Sequence, residues 1–160
     1  MRLAAKTGVK LSRMHFRFLW VGKTKNKKWL ALEEDYRGRL EKFVRCEFDI
    51  IRDGPDKETE GKRILENLNP NTLVCLLDVK GRALSSHDLA EQIEKWQTAA
   101  TREVTFVIGG SDGVSREVAD RADVKVSLSF LTLTHEMARV VLLEQLYRAY
   151  TIIKGFPYQK

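Results

Sequence analysis

Residues 103–115 read EVTFVIGGSDGVS: an apolar run rich in β-branched residues, a glycine pair, two small polar residues, a third glycine, and a serine ahead of a polar segment. The run predicts a buried strand over 103–110, and the serine predicts a helix starting near Ser115. The glycines between them leave a loop on which a ligand, or another piece of backbone, can close without meeting a Cβ. Strand, stripped loop and helix in that order form the repeating unit of a parallel sheet. Glycine after a strand is also ordinary turn chemistry. GGSDG fits neither the dinucleotide spacing GxGxxG nor the phosphate-loop spacing GxxxxGK[ST].

The same unit recurs in both directions along the chain. HFRFLWVG (15–22), CEFDIIR (46–52), TLVCLLDV (72–79) and VKVSLS (124–129) are further strand candidates. Helical segments lie between them. WLALEEDYRGRLEKFV (29–44) carries Leu30, Leu32, Tyr36, Leu40 and Phe43 as its apolar residues, and KETEGKRILENL (57–68) is weakened by Gly61. SSHDLAEQIEKWQTAA (85–100) opens with Ser85 and Asp88 at the spacing of a capping box and sets Leu89, Ile93 and Trp96 on one face. This order predicts an α/β fold with a mostly parallel sheet covered by helices on both faces. Ligands in such folds bind beyond the carboxyl ends of the strands. Three of those ends have unusual chemistry: LLDVKGR (76–82), IGGSDG (108–113) and LSFLTLTHE (128–136).

With 160 residues, 43% of them hydrophobic and three of them tryptophan, the chain closes a single core. The most apolar region, Leu128 to Tyr150, is interrupted by Glu136, Arg139, Glu144 and Arg148, which excludes a membrane helix. Cys46 and Cys75 sit in unrelated apolar stretches and read as buried thiols of a reducing compartment, which places the protein in the cytoplasm. His15, His87 and His135 are too scattered to suggest a metal, and none is expected. RDGPDKETEG (52–61) reads as the one mobile loop.

Charge is uneven. Residues 1–28 carry nine Lys or Arg and no acid, whereas the rest of the chain holds 19 basic against 22 acidic residues. Residues 1–13 show no period and read as a mobile basic extension ahead of a domain spanning 14–160. GKTKNKK (22–28) is tied to the fold at both ends, and its lysines Lys23, Lys25, Lys27 and Lys28 are expected to contact nucleic-acid phosphates.

The last segment predicts a helix from His135 to Lys154 whose polar residues Glu136, Arg139, Glu144, Arg148 and Thr151 form one narrow stripe. Apolar over the remainder, it must be buried on more than one side. That pattern suggests a subunit interface, with Val140, Leu143 or Tyr147 meeting a symmetry mate or a neighbouring helix. Glu144 and Arg148 are at i,i+4 spacing, suited either to a surface pair or to holding a substrate.

Together, FVIGGSDGVS and KVSLSFLTLTHEMARVVLLEQLYRAYTIIKGFPY closely resemble the signature of small SPOUT-class methyltransferases that act on N3 of a pseudouridine in 23S ribosomal RNA. The resemblance runs from about Met14 to the C-terminus. It implies a C-terminal trefoil knot, a homodimer, and S-adenosylmethionine held by three loops. The matching cofactor positions are Leu76, Leu77 and Asp78, then Gly109 and Gly110, then Ser129, Phe130, Leu131, Thr132, Leu133 and Thr134. His135, Arg139, Glu144 and Arg148 become catalytic candidates, with Arg148 suited to orienting RNA. Tyr158 and Lys160 in the tail join the lysines as RNA contacts. The resemblance also implies assembled 70S ribosomes as substrate. Two positions depart from the family pattern: Thr134 stands where proline is usual, and the tail reads FPYQK instead of the usual HPYH.

A rival reading is a non-catalytic dimeric RNA-binding protein, basic at its front end. Such a protein has no use for the GGSDG and LTLTHE loops together, and a nucleotide hydrolase lacks its phosphate loop.

Overall fold

A computed structural model of the protein describes residues 11–158. Five strands, β1 (His15–Val21), β2 (Arg45–Ile51), β3 (Leu73–Ala83), β4 (Glu103–Ile108) and β5 (Val124–Ser127), form one sheet in the order β2-β1-β4-β3-β5. Every pairing is parallel. The helices α1 (Lys27–Leu40), α2 (Lys57–Asn67), α3 (Ser86–Thr98), α4 (Arg116–Arg121) and α5 (His135–Lys154) alternate with the strands. The α/β architecture expected from the sequence is therefore present, and the last helix has the predicted limits.

Alternation along the strands builds two cores. Phe16, Phe18 and Trp20 of β1 and Phe106 of β4 face α3 and α5, while Leu19, Val21 and Val107 face α2 and α4. The first core is aromatic: Phe16 meets Phe106 edge-on at 5.0 Å, and Phe18 stacks between Phe48 at 4.6 Å and Phe106 at 5.4 Å. Helix α5 packs on α1, α3 and the sheet, which takes up most of its apolar circumference within the chain, with Met137 and Val141 left half-buried outside the core clusters. Val140 and Leu143 are buried in that core, and Tyr147 lies against Tyr36, Phe43 and Tyr158. Of the two alternatives for Val140, Leu143 and Tyr147, a symmetry mate or a neighbouring helix, the structure shows the neighbouring helices.

Local signals set several boundaries. Ser85 and Asp88 form the expected capping box, each side chain accepting the other's backbone N–H at 3.0 Å. Ser115 caps α4, and Thr134 caps α5 by accepting from the Met137 N–H at 3.2 Å, a role open to threonine but not to the proline it replaces. Helix α1 starts at Lys27, two residues earlier than expected, because the Asn26 side chain accepts from the Lys28 and Trp29 amides. Its buried positions are Glu33 and Leu40, whereas Leu30 and Leu32 are exposed. At the front end, the chain is joined to the fold from Ser12, whose N–H donates to the Phe43 carbonyl at 3.0 Å.

Strand β3 departs most from expectation. The sequence reading ends it at Val79, yet it continues to Ala83 and passes β5 twice, with Leu77 and Arg82 both paired to Val126. Residues 78–81 bulge between these pairings. A Cβ on Gly81 would stand 2.8 Å from three main-chain atoms of Lys125 and Val126. Backbone on both sides has nowhere to yield. Replacing Gly81 by alanine should therefore lower stability by about 2 kcal/mol or more in chemical denaturation; a loss under about 0.5 kcal/mol would show that the two strands do not pass this closely.

Candidate functional site

Because all strands run the same way, the loops that follow them gather at one edge of the sheet. Segments 77–80, 108–116 and 128–135 come together there around a cavity of about 940 Å³. Of the cofactor positions expected from the sequence, Leu77, Asp78, Gly109, Gly110, Ser129, Leu131, Thr132, Leu133 and Thr134 line it, as does His135. Leu76 lies instead in the sheet core, fully buried, and Phe130 points away, 73% exposed.

The glycine pair has two separate purposes. A Cβ on Gly109 would lie 2.6 Å from the Gly113 carbonyl oxygen, so this glycine lets the loop fold back on itself. Gly110 and Gly113 close that turn, the Gly113 N–H donating to the Gly110 carbonyl at 3.1 Å, with Gly113 at φ 80°. Gly110 faces both the cavity and Glu60.

Sequence reasoning missed three cations at the cavity wall, Lys57, Lys80 and Arg116. Lys57 opens α2 and Arg116 opens α4, each just beyond the carboxyl end of a strand. That placement was the available signal. A second cavity of about 300 Å³ shares Gly110, Ser111, Asp112 and His135 with the first and is closed by the loops after β1 and β2, including Lys23 and Lys25. Lys27 and Lys28 are exposed in the first turn of α1. Lys160 lies outside the described residues.

Of the four catalytic candidates, His135 alone lines the cavity. Arg139 is fully buried beneath it. Its Nη2 donates to the Val21 carbonyl at 2.7 Å and its Nη1 to Thr24 Oγ1 at 2.8 Å, while Thr24 donates in turn to Glu33 Oε1 at 2.7 Å. The Trp20 ring lies 5.3 Å from the guanidinium carbon. Burial pushes the Glu33 carboxyl up and the Arg139 guanidinium down, as expected for charges held away from water. Glu136, one turn before Arg139, accepts from the Asn26 N–H at 3.0 Å. Arg139 is thus a strut between the start of α5 and the loop after β1.

Glu144 and Arg148 sit about 13 and 20 Å along α5 from His135 at the helical rise, and neither lines the cavity. They form a cluster with the tail: Arg148 donates through Nε and Nη2 to Glu144 Oε1 at 3.0 and 2.6 Å, and the Tyr158 hydroxyl donates to the same oxygen at 3.0 Å. Arg148 also lies over the Tyr158 ring at 4.9 Å. Burial, reinforced by Glu144, raises the Tyr158 phenol above its ordinary value, so it stays a hydrogen-bond donor at neutral pH.

Removing the strut leaves Glu33 buried without its nearest cation. Arg139→Ala should lower stability by about 3 kcal/mol or more in denaturant titration, with faster amide hydrogen exchange over residues 22–26. A loss below about 1 kcal/mol with unchanged exchange would show that the network does not hold the loop.

Comparison with known proteins agrees with this architecture. A relative from Trichlorobacter lovleyi named ribosomal RNA large subunit methyltransferase H is 40% identical over 152 residues, covering 91% of this chain and 99% of the relative. A protein of the same name from Maridesulfovibrio salexigens is 39% identical over 148 residues, covering 88% and 95%. One from Halothermothrix orenii is 49% identical over 104 residues, 65% of each chain. Residues 14–159 match the family described as "Predicted SPOUT methyltransferase", and with that match extending over the sheet, the cavity loops and α5 alike, the chain belongs to the SPOUT methyltransferase family.

Proposed function

We propose that the protein is a ribosomal RNA methyltransferase that transfers the methyl group of S-adenosylmethionine to N3 of a pseudouridine in 23S rRNA, acting in the cytoplasm on the assembled 70S ribosome. The observation that carries the reading is the cavity at the carboxyl edge, lined by the three loops in which the sequence resemblance puts the cofactor positions. The large-subunit rRNA methyltransferase names of the relatives support the substrate class.

The residues present suit that cofactor. Leu77, Leu131 and Leu133 offer apolar walls for adenine, and the backbone of the loop at Gly110, which carries no side chain into the cavity, can meet its polar edge. Asp78 and Asp112 supply negative charge for the cationic methionine end. S-adenosylmethionine, when bound, supplies a methyl already activated on sulfonium sulfur. The protein's task is then to align the acceptor nitrogen, exclude water and let the N3 proton leave. His135, on the wall between the two cavities, is the group placed to take or relay that proton.

A homodimer gives the remaining candidates a place. Phe130 and Leu131 are 73% and 78% exposed beside the cavity, where a second subunit would cover them. The Glu144–Arg148–Tyr158 cluster, remote from its own cavity, would then serve the partner's, with Arg148 orienting RNA.

Lys27 and Lys28 support the RNA reading on physical grounds. Like charge at the positive end of a helix is unfavourable by some tenths of a kcal/mol each, and the first turn of α1 holds no acid to offset it. Such placement suits contact with phosphate. The function is tested by methylation of 70S ribosomes, free large subunits and naked 23S rRNA with mass spectrometry of the nucleosides: 3-methylpseudouridine is expected, fastest on 70S particles, and a product methylated elsewhere would overturn the assignment. Changing Lys23, Lys25, Lys27 and Lys28 together to glutamine should weaken ribosome binding and reduce its log–log salt slope by up to about 0.7 to 0.9 for each phosphate no longer neutralised. Cofactor affinity should hold; an unchanged slope would remove these lysines from the RNA site.

A further inference from the structure

The smaller cavity adjoins the one proposed for the methyl donor. It shares Gly110, Ser111, Asp112 and His135 with the donor cavity, and five carboxylates line it, Asp53, Asp56, Glu60, Asp112 and Glu136. Two of them, Asp53 and Glu60, lie against glycines. A Cβ on Gly22 would lie 2.5 Å from Asp53 Oδ1, and one on Gly110 would lie 3.3 Å from Glu60 Oε1. Glu60 is the better anchored, because its Oε2 accepts the Gly54 N–H at 3.1 Å. Its Oε1, beside the loop that both cavities share, takes no hydrogen bond among the described residues. No group of three or more His, Cys, Asp or Glu side chains among those residues is placed to hold a metal ion, and Lys23 and Lys25 share the wall.

We propose that this cavity receives the acceptor base and that Glu60 determines specificity by accepting the N1–H of pseudouridine; the inference rests on the pseudouridine reading above. Enzymes that modify a nucleobase take it out of the stack and read it by hydrogen bonds. Pseudouridine is the carbon-linked isomer of uridine, its ring turned about the N3–C6 axis. N3 and the two carbonyls keep their places, and N1–H stands where uridine has C5–H. Only an acceptor beside that position tells the two bases apart. With N3 directed at the donor cavity, N1–H lies two ring atoms away, so the acceptor must stand next to the donor loop. Asp112 belongs to that loop itself, and Asp56 and Glu136 accept the backbone N–H groups of Thr59 and Asn26; Glu60 is the carboxylate held against Gly110 from across the cavity, one oxygen anchored by Gly54 and the other open.

The anchoring also predicts the outcome of a near-isosteric change. In Glu60→Gln the Gly54 N–H claims the amide oxygen, and the NH₂ group turns to the cavity, donor against donor for N1–H but only against C5–H in uridine. The test compares kcat/KM on large-subunit rRNA, in the particle that supports methylation, carrying either pseudouridine or uridine at the target. The parent should prefer pseudouridine, and Glu60→Gln should reduce that preference about tenfold or more. Cofactor titration and the thermal midpoint report whether the variant is folded, and Glu60→Ala, which removes the acceptor without adding a donor, gives the same readout should glutamine not be tolerated. A parent that prefers pseudouridine beside variants that keep the full preference overturns the role of Glu60 and leaves the function standing. A parent indifferent to the two bases removes the need for a reader, and a parent that methylates neither overturns the functional reading together with the inference.

Discussion

The geometry of the carboxyl edge depends on one buried guanidinium. Arg139 reaches from the second turn of α5 to the end of β1, where it holds the Val21 carbonyl and, through Thr24, the Glu33 carboxylate of α1. A charge this far from water needs hydrogen-bond partners and a counter-charge close by, and both terminal nitrogens of the guanidinium are used, while its Nε–H is buried without a partner among the described residues. Three elements are therefore locked together by groups that none can release alone. The residues on either side of the strut, His135 and Lys23 to Asn26, are those that face the cavities and the solvent edge. A catalytic candidate in the sequence, Arg139 is in the fold the support for its neighbours.

Around that strut the site is made by close passage of backbone. Strand β3 meets β5 twice, at Leu77 and at Arg82, and only a glycine at position 81 allows it. The bulge between these pairings puts Leu77, Asp78 and Lys80 on the cavity wall. The loop after β4 folds back through Gly109 and Gly113, and the loop after β5 ends in the Thr134 cap. Each ligand loop is bounded by a structural element on both sides, which is how irregular chain is held in one shape.

Charge is distributed according to the same edge. The four front-end lysines flank the smaller cavity or open α1, while Lys57, Lys80 and Arg116 stand at the larger one. Carboxylates line the same cavities, with Asp78 and Glu60 half-buried and Asp53 and Asp112 exposed beside the cations.

Strand and helix order, the caps at Ser85 and Ser115, and the limits of α5 were legible in the sequence because they arise from interactions within about four residues along the chain. So was the family, carried by the glycine loop and the segment from Lys125 to Tyr158. The facing of α1 was not: its leucines suggest an apolar face, yet Glu33 is the buried residue because Thr24 and Arg139 are there to receive it. The double passage of β3, the strut role of Arg139 and the pairing of Glu60 with Gly110 were equally invisible. Arg139 lies 115 residues from Thr24 and 118 from Val21. Contacts of that range exist only after the sheet has assembled in the order β2-β1-β4-β3-β5, and no local period or spacing encodes which strand lies beside which.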